Sequence, residues 1–460
     1  MFELIHKFKM FKKNIVLDVN SGGVFVVDDL TYNMLDLIKL PMAEECTTEL
    51  FQQLKQFDKS EVSQTYSQLY ELYKKKILFS EEVDVSKFEH LLENSKIKAM
   101  CLHVAHDCNL RCAYCFASTG NFGGARELMT IETAKAAINF LIANSGSRKN
   151  LEVDFFGGEP LMNFDVVKQT VSYARELESK SGKNFRFTIT TNGTLLDDEK
   201  INYINQEMSN VVLSLDGRKQ INDRVRKMAK GNSSCYDAAM PKFIELVRRR
   251  NKSGPRSDYY IRGTFTNMNL NFVEDVLHFY DCGFDQISIE PVVSPSSAPY
   301  AIRPEHLPTI FEQYEILAKR IVELKQNGSK INFFHFMIDL EQGPCIVKRF
   351  RGCGCGAEYV AVAPGGAIFP CHQFVGNDSF KMGNVLESNE IDYKIKSQFA
   401  KSNLAHKNDC LKCWAKFYCS GGCNANNFNF EGKLLKPYGI SCEMEKKRVE
   451  CAIAIKAALI

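Results

Sequence analysis

The sequence predicts an α/β fold in which a parallel β-sheet curves into a partial (β/α)6 barrel, with a small domain before it and a cysteine-rich extension after it. Three observations support this prediction. Between residues 98 and 330, six short runs of apolar and β-branched residues alternate with amphipathic helical patterns, which is typical of a parallel sheet covered by helices. The first 90 residues follow a different pattern. Nine of the seventeen cysteines lie between residues 345 and 442.

Residues 1–90 are predicted to form a winged-helix-like domain. Two β-rich runs, residues 13–19 and 23–27, are joined by Asn20-Ser21-Gly22-Gly23, a turn sequence that predicts a hairpin. Three helical patterns follow within residues 28–38, 47–55 and 60–76. A hairpin and three helices match a winged helix, although a purely structural cap is an equal alternative for this segment alone.

Residues 98–330 are predicted to form the TIM-like partial barrel. The predicted strands cover residues 99–105, 151–156, 185–190, 210–215, 259–265 and 286–291. The predicted helices cover residues 130–144, 163–179, 197–208, 234–250, 271–282 and 304–326. Because the chemistry of such barrels lies at the carboxyl ends of the strands, residues that follow each strand are site candidates.

Three cysteines follow the first strand in a C-x3-C-x2-C pattern, Cys108, Cys112 and Cys115, which places them in a loop. Three thiolates can hold a 4Fe-4S cluster by three irons and leave the fourth iron open. Clusters that only carry electrons normally use four cysteines, so the triplet suggests an iron reserved for another ligand. For the triplet alone, a zinc site or chance spacing is the alternative.

Further motifs stand where later strands end. Gly157-Gly158-Glu159-Pro160 follows the second strand, where two glycines let backbone carbonyls approach a ligand and the carboxylate can accept from an ammonium group. The other polar residues in such positions are Asn192 after the third strand, Ser214 and Asp216 after the fourth, and Arg226 ten residues beyond Asp216.

Two charged residues on the last strands have no motif behind them. Arg262 lies in the fifth strand and Glu290 at the end of the sixth. We expect them to be either substrate contacts or a buried pair that stabilises the barrel mouth.

The cysteines after residue 340 are spaced as metal ligands. The run from Cys410 to Cys423 reads C-x2-C-x5-C-x3-C, and the chain carries no secretion signal that would favour disulfides. The cysteines of this segment are Cys345, Cys353, Cys355, Cys371, Cys410, Cys413, Cys419, Cys423 and Cys442. Two zinc sites are the alternative that the C-x2-C pair supports.

Composition narrows the function classes. The net charge of +3 argues against a nucleic-acid partner, because nucleic-acid binders usually carry a concentrated basic face. No stretch approaches the roughly 20 apolar residues of a membrane span, and the first residues lack a signal-peptide core. We therefore expect a cytoplasmic protein with no nucleic-acid or membrane partner.

Taken together, the barrel motifs resemble those of the radical S-adenosylmethionine (SAM) superfamily. In that family the open iron chelates the amino and carboxylate groups of SAM, which is cleaved to a 5'-deoxyadenosyl radical. The resemblance implies that Cys108, Cys112 and Cys115 hold this cluster. It also implies SAM contacts by Gly158, Glu159 (amino group), Asn192, Ser214 and Asp216 (ribose), and Arg226 (carboxylate).

The cysteine-rich segment, residues 340–450, resembles the SPASM extension of radical SAM maturases, which carries two auxiliary 4Fe-4S clusters and brings the total to three. The family pattern implies an inner cluster on Cys345, Cys353, Cys371 and Cys423, and an outer cluster on Cys410, Cys413, Cys419 and Cys442. Cys355 departs from the pattern, so the choice among Cys345, Cys353 and Cys355 is open. If one of them is not a ligand, the inner cluster has an open iron for a substrate thiolate.

Longer local matches are similar to the radical SAM maturases of six-cysteine (SCIFF) peptides. They cover residues 103–107, 153–160, 260–266 and 419–423. The resemblance implies intramolecular thioether formation in a ribosomally made, Cys-rich precursor peptide, whose leader docks on the edge of the N-terminal hairpin, with electrons from a cellular reductant. The alternatives are a sulfatase-type maturase that forms formylglycine and a non-catalytic iron-sulfur electron carrier.

Overall fold

A computed structural model describes residues 4–90, 95–252, 258–340 and 346–460. Cys345, a predicted ligand, lies outside the described residues. The chain begins with a three-stranded antiparallel sheet in the order β1-β2-β3, made of β1 (Ile5–Met10), β2 (Lys13–Asp18) and β3 (Val24–Val27). Three helices follow: α1 (Asp29–Met34), α2 (Thr48–Gln53) and α3 (Lys59–Lys74).

Strand β1 corrects the prediction of a two-stranded hairpin. It joins β2 through Phe11 and Lys12, which both adopt positive φ angles of 53° and 59°. Two-residue hairpin turns need positive φ and usually recruit Gly or Asn for it. Because this turn uses neither, the sequence pattern did not reveal the first strand.

The central sheet has ten strands among the described residues, in the order β12-β11-β10-β8-β7-β6-β4-β13-β14-β15. Its strands are β4 (Ala99–Ala105), β6 (Asn150–Gly157), β7 (Asn184–Thr191), β8 (Asn210–Ser214), β10 (Asp258–Phe265), β11 (Gln286–Pro291), β12 (Asn332–Phe333), β13 (Tyr359–Val362), β14 (Ala367–Phe369) and β15 (Gly383–Asn384). The pairs from β12 to β13 are parallel. The six predicted strands are β4, β6, β7, β8, β10 and β11, so the predicted parallel α/β sheet is confirmed.

The helices of the barrel segment lie where the sequence predicts them, apart from one short addition. They are α4 (Ile131–Asn144), α5 (Phe164–Ser181), α6 (Asp198–Glu207), α7 (Lys219–Val225), α8 (Cys235–Lys252), α9 (Phe272–Asp281) and α10 (Leu307–Gln326). The added helix, α7, leads directly into a short ribbon of β5 (Leu110–Cys112) and β9 (Arg226–Met228).

The C-terminal segment continues the barrel sheet, because β13 pairs in parallel with β4 and aligns Tyr359 with Ala99. Its helices are α11 (Ile346–Arg351), α12 (Tyr393–Ala400), α13 (Asn408–Leu411), α14 (Lys416–Cys419), α15 (Asn424–Glu431) and α16 (Gly439–Leu459). The long α16 packs against α10. The sequence did not predict this edge pairing, which ties the cysteine-rich segment to the strand that precedes the Cys108 loop.

One hydrophobic core joins the three segments. It contains Ile15 of β2, Phe155 of β6 and Ile453 of α16, all fully buried. The opposite face of β2 places Val16 in a second core with α1, α2 and α3, as expected when successive strand residues point to opposite faces. In the described part of the chain, no helix has the length and apolar character needed to cross a membrane.

Candidate active site

The three cysteines of the first loop gather at the end of β4. Cys112 ends β5 and stands opposite Arg226, the first residue of β9. Two N–H groups approach Cys108 Sγ, from Leu110 N at 3.3 Å and Asn192 Nδ2 at 3.8 Å. The β5–β9 ribbon therefore brings the predicted carboxylate-binding arginine beside the cysteine triplet.

Burial controls the state of these thiols. Desolvation raises the pKa of both Cys108 and Cys112 to about 12, so the free side chains are neutral thiols at pH 7. A metal centre binds thiolates and releases their protons. Three converging thiols fit the donor set of an iron-sulfur cluster.

The Gly-Gly-Glu-Pro loop supports the cysteine loop through its backbone. Gly158 N donates to Ala105 O at 2.8 Å, and Glu159 N donates to Asp107 O at 2.9 Å. A Cβ atom on Gly157 would lie 2.1 Å from Ala105 O, and one on Gly158 would lie 2.1 Å from Asp107 O. The glycines therefore make room for the cysteine loop itself, and their approach to a ligand stays a prediction.

Glu159 is a buried carboxylate with three donors. Its Oε1 accepts from Leu161 N at 3.0 Å and from Thr191 Oγ1 at 2.8 Å, and its Oε2 accepts from Asn192 N at 2.8 Å. Burial raises the pKa of Glu159 to about 7, although these hydrogen bonds oppose the shift. The donors fix the carboxylate in one orientation at the floor of the site.

Asp216, for which the family resemblance implies a contact with the SAM ribose, holds other residues of the site in place. It is fully buried. Its carboxylate accepts from Tyr114 Oη at 2.6 Å, Arg226 Nε at 3.0 Å and Thr264 N at 2.9 Å. Asp216 therefore orients Arg226 and ties Tyr114, within the cysteine triplet, to the end of β8.

A cavity of about 150 Å³ connects these groups. Its lining includes most of the predicted cofactor residues: Cys108, Cys112, Cys115, Gly158, Glu159, Asn192, Ser214 and Arg226. Asp216 does not belong to the lining. A carboxylate and a guanidinium on one cavity wall match the ammonium and carboxylate of an amino acid, so these residues fit the methionine end of SAM.

The sequence analysis assigned no role to three aromatic side chains of the site. Tyr114, Phe116 and Phe156 line the same cavity, and Phe116 is 54% exposed. The position of Phe116 directly after Cys115 is the signal that would have identified it, because a large apolar side chain beside metal ligands at a strand end is expected to face the site.

The inner cysteine set contains Cys355. This thiol is buried and hydrogen-bonded to Cys353 and Cys371, and Cys423 interacts electrostatically with the same two residues. The S–H of Cys355 and two backbone donors lower the pKa of Cys353 to about 6. The set implied by the resemblance omitted Cys355 but left the choice among Cys345, Cys353 and Cys355 open; in the structure Cys355 interacts with Cys353 and Cys371.

The outer cysteine set surrounds a cavity of about 210 Å³. All four predicted ligands line it: Cys410, Cys413, Cys419 and Cys442. Within the described ranges, no three His, Cys, Asp or Glu side chains converge closely enough to hold a single metal ion.

Arg262 and Glu290 form an ion pair at the barrel mouth, but the Arg262 side chain is 53% exposed, so this is not the buried pair of the structural alternative. Arg262 Nη2 lies 3.4 Å from Glu290 Oε1, and His335 Nε2 lies 3.4 Å from the same oxygen. Neither charged residue lines the cysteine-triplet cavity. Their partial exposure leaves the alternative role as substrate contacts open to experiment.

Comparisons with known proteins agree with this geometry. The family profile of the Radical SAM superfamily matches residues 102–268. The radical SAM cyclopropyl synthase TigE of Paramaledivibacter caminithermalis is 21% identical over 455 residues, covering 92% of this chain and 88% of TigE. The Cysteine-type anaerobic sulfatase-maturating enzyme of Clostridium novyi is 25% identical over 347 residues, covering 70% of this chain and 86% of that enzyme.

A solved structure shares the fold over nearly the whole chain. Streptococcus suis SuiB bound to its precursor peptide SuiA has a TM-score of 0.53 at 17% identity, covering 95% of this chain and 98% of SuiB. The matched profile spans the segment that carries the cysteine triplet, the Gly-Gly-Glu-Pro loop and Arg226. We conclude that residues 102–268 form a Radical SAM superfamily domain, and that the chain is similar to TigE and shares its fold with SuiB.

Proposed function

We propose that this enzyme installs intramolecular Cys thioether crosslinks in a ribosomally synthesised, Cys-rich precursor peptide. The observation that carries the proposal is an aromatic contact between the residue that follows Cys371 and the cavity of the cysteine triplet. His372, which follows Cys371, lies 5.6 Å from Phe116 and 5.2 Å from Phe156, measured between ring centroids. A peptide on this aromatic surface would reach the inner cysteine set with one residue and the SAM cavity with another.

The residues of the site have separate roles in the proposed reaction. The cluster that cleaves SAM would be held by Cys108, Cys112 and Cys115. Together, the bound cluster and SAM would supply the 5'-deoxyadenosyl radical that removes a hydrogen atom from the peptide. Glu159 would accept the SAM ammonium group and Arg226 its carboxylate, while Asp216 holds the guanidinium in place. Asn192 and Ser214 would contact the rest of SAM.

The cysteine-rich segment would hold two auxiliary 4Fe-4S clusters, which would accept the second electron and bind the peptide thiol. The outer ligands would be Cys410, Cys413, Cys419 and Cys442. We propose Cys353, Cys355, Cys371 and Cys423 for the inner cluster, with Cys345 as the alternative to Cys355. The reaction requires a cellular reductant, and a cytoplasmic location, where thiols stay reduced, is part of the proposal.

The N-terminal sheet would bind the leader of the precursor. Strand β3 is at one edge of this sheet, and its Val26 is half exposed. The other edge, β1, packs against α16. An unpaired strand edge is a template for an added peptide strand, so we propose that the leader pairs with β3.

A co-expression experiment tests the proposed reaction. The precursor peptide is expressed with the wild-type enzyme and, in parallel, with a Cys112→Ala variant. Mass spectrometry is expected to show a loss of two hydrogens per crosslink with the wild type only. One hydrogen leaves the acceptor carbon as an atom, and the other leaves the cysteine thiol as a proton while one electron passes to an auxiliary cluster. An unchanged peptide mass, with SAM cleavage intact, would contradict the thioether assignment.

A formylglycine maturase is the second candidate, and the similarity to the Clostridium novyi enzyme favours it. Its product would exchange the cysteine sulfur for oxygen in a sulfatase peptide, a different mass change. A leader-peptide pull-down separates the two candidates, since a short sulfatase motif needs no leader. Membership of an enzyme superfamily argues against the third alternative, a non-catalytic electron carrier.

A further inference from the structure

Lys407 is a buried lysine whose ammonium group has only neutral hydrogen-bond partners. Its relative exposure is 1%. Nζ donates to Gly421 O at 2.8 Å and to Asn424 Oδ1 at 3.2 Å. Among the ion pairs of the described residues, none joins Lys407 to an Asp or Glu within 4.0 Å.

The acidic side chains that act on this ammonium are cysteines from both auxiliary sets, which become thiolates when they bind a metal. Burial lowers the pKa of Lys407, and the side chains that oppose this shift are Cys410 and Cys419 of the outer set and Cys353 and Cys423 of the inner set. Lys407 thus stands between the two sites and is the buried cation that both of them share.

The chain closes tightly around this lysine. Gly421 has a φ of +80°, and a Cβ atom there would lie 2.8 Å from Lys407 Cδ and 3.2 Å from Nζ. The Cys419–Cys423 segment therefore passes directly over the lysine stem. The ammonium is held between the ligand segments of the two sites and cannot reach solvent without moving them.

A buried charge that lacks a counter-charge is strongly unfavourable. Nearby carboxylates normally supply that counter-charge, and here none of the described carboxylates forms an ion pair with Lys407. Thiolate-ligated clusters carry net negative charge, and taking up one electron adds another unit. A fixed cation between two such clusters stabilises the electron-rich form of each, because the attraction acts in a weakly polar interior.

We propose that Lys407 is the common counter-ion of the two auxiliary sites and raises the reduction potential of both clusters. The inference rests on the proposed function in one respect, that iron-sulfur clusters occupy both cysteine sets. The redox change involved is the uptake of one electron per cluster from a chemical reductant, with no bond made or broken. Lys407 acts on the potentials and touches neither SAM nor the peptide.

The test uses the full chain with the barrel cluster removed by Cys108→Ala, Cys112→Ala and Cys115→Ala, so that only auxiliary clusters titrate. In this background, Lys407→Met removes the charge and keeps an unbranched stem. Iron content is measured first, and each cluster is then titrated anaerobically with a reductant while its EPR signal is followed.

We expect the Lys407→Met protein to keep its iron and to have a reduction equilibrium constant at least tenfold lower for the auxiliary clusters, a shift of 59 mV for one electron. The matched control is Lys396→Met. Lys396 is a partly buried lysine of the C-terminal segment, and its Nζ donates to Ser95 O at 2.8 Å, away from the cysteines. Its removal is expected to leave the potentials unchanged.

A Lys407→Arg variant covers the case in which Lys407→Met loses its iron. Because arginine keeps the charge, the iron content and the reduction potentials of this variant are then expected to return to those of the parent protein. Loss of iron in both variants would show that the site needs the lysine shape and would overturn the proposal, as would unchanged potentials at full iron content. A parent chain that binds no auxiliary iron would overturn the proposed clusters as well, so the two failures are distinguishable.

Discussion

Gly158 approaches the cysteine loop closely, and a Gly158→Ala substitution tests what this contact does. The added Cβ would lie 2.1 Å from Asp107 O and 3.1 Å from Cys108 Cβ. Real Cβ contacts are essentially never under 3.0 Å, so the loop must move by about 0.9 Å. Overpacking of this kind costs roughly 1–3 kcal/mol, which a folded domain usually survives.

The functional effect is expected to exceed the effect on stability. A misplacement of about 1 Å can reduce a rate by roughly 100-fold, and here the displaced residue, Asp107, directly precedes Cys108, one of the three predicted cluster ligands. The assay is 5'-deoxyadenosine release by the reduced, iron-loaded protein, with thermal unfolding measured on the same samples.

Gly365→Ala is the matched control, because nothing lies within 4 Å of a Cβ at that position. It is expected to release 5'-deoxyadenosine at the wild-type rate. If Gly158→Ala also did so, the cysteine loop would not depend on this contact, and the structural account of the Gly-Gly-Glu-Pro loop would be refuted.

Three other predictions concern buried carboxylates. Asp216→Asn keeps the shape of the side chain but removes the charge that faces Arg226 at 3.0 Å. Because hydrogen bonds to charged groups are worth roughly 1.5–3 kcal/mol, we expect the affinity for SAM, measured by equilibrium dialysis, to fall about tenfold. Burial raises the pKa of Glu159 from 4.5 to about 7, so its contribution to stability is complete below pH 4.5 and is lost as the pH rises through 7. Between pH 4.5 and 8 the metal-free wild type should therefore lose about 3 kcal/mol of unfolding free energy relative to Glu159→Gln. Parallel pH profiles of the two proteins would contradict this prediction. Glu358 is 1% exposed and binds Lys98 and Arg148 at 2.8 Å each. Glu358→Gln should therefore lower the unfolding free energy by about 3 kcal/mol, measured by denaturant titration. An unchanged denaturation midpoint would mean that solvent screens these ion pairs.

Local sequence signals were sufficient to predict the strands and helices of the barrel. Strand β4 was predicted with its observed ends, and Thr130 and Asp197, at the predicted starts of two helices, are their N-caps. Each of these features depends on residues close together in the chain: an apolar run, or a capping side chain that accepts from a backbone N–H three residues on. Such signals are complete within a short window of sequence.

The features that the sequence did not predict depend on distant partners. Tyr114 and Asp216 are 102 residues apart, and only the fold shows that Asp216 faces Tyr114 and not the cavity. The pairing of β13 with β4 has no local pattern either. Cys355 was recognised as a departure from the family spacing, but its contacts with Cys353 and Cys371 depend on how the segment folds.

The pairing of β13 with β4 also constrains how this protein is made. During synthesis Ala99 emerges long before its partner Tyr359, and at about 5–20 residues per second the interval is on the order of tens of seconds. Throughout that interval the strand that leads into the Cys108 loop has an unpaired edge, which is a site for aggregation. Nascent chains that end before residue 359 are therefore expected to depend on chaperones, and iron delivery to the first loop is expected to be productive only after the C-terminal segment has closed that edge.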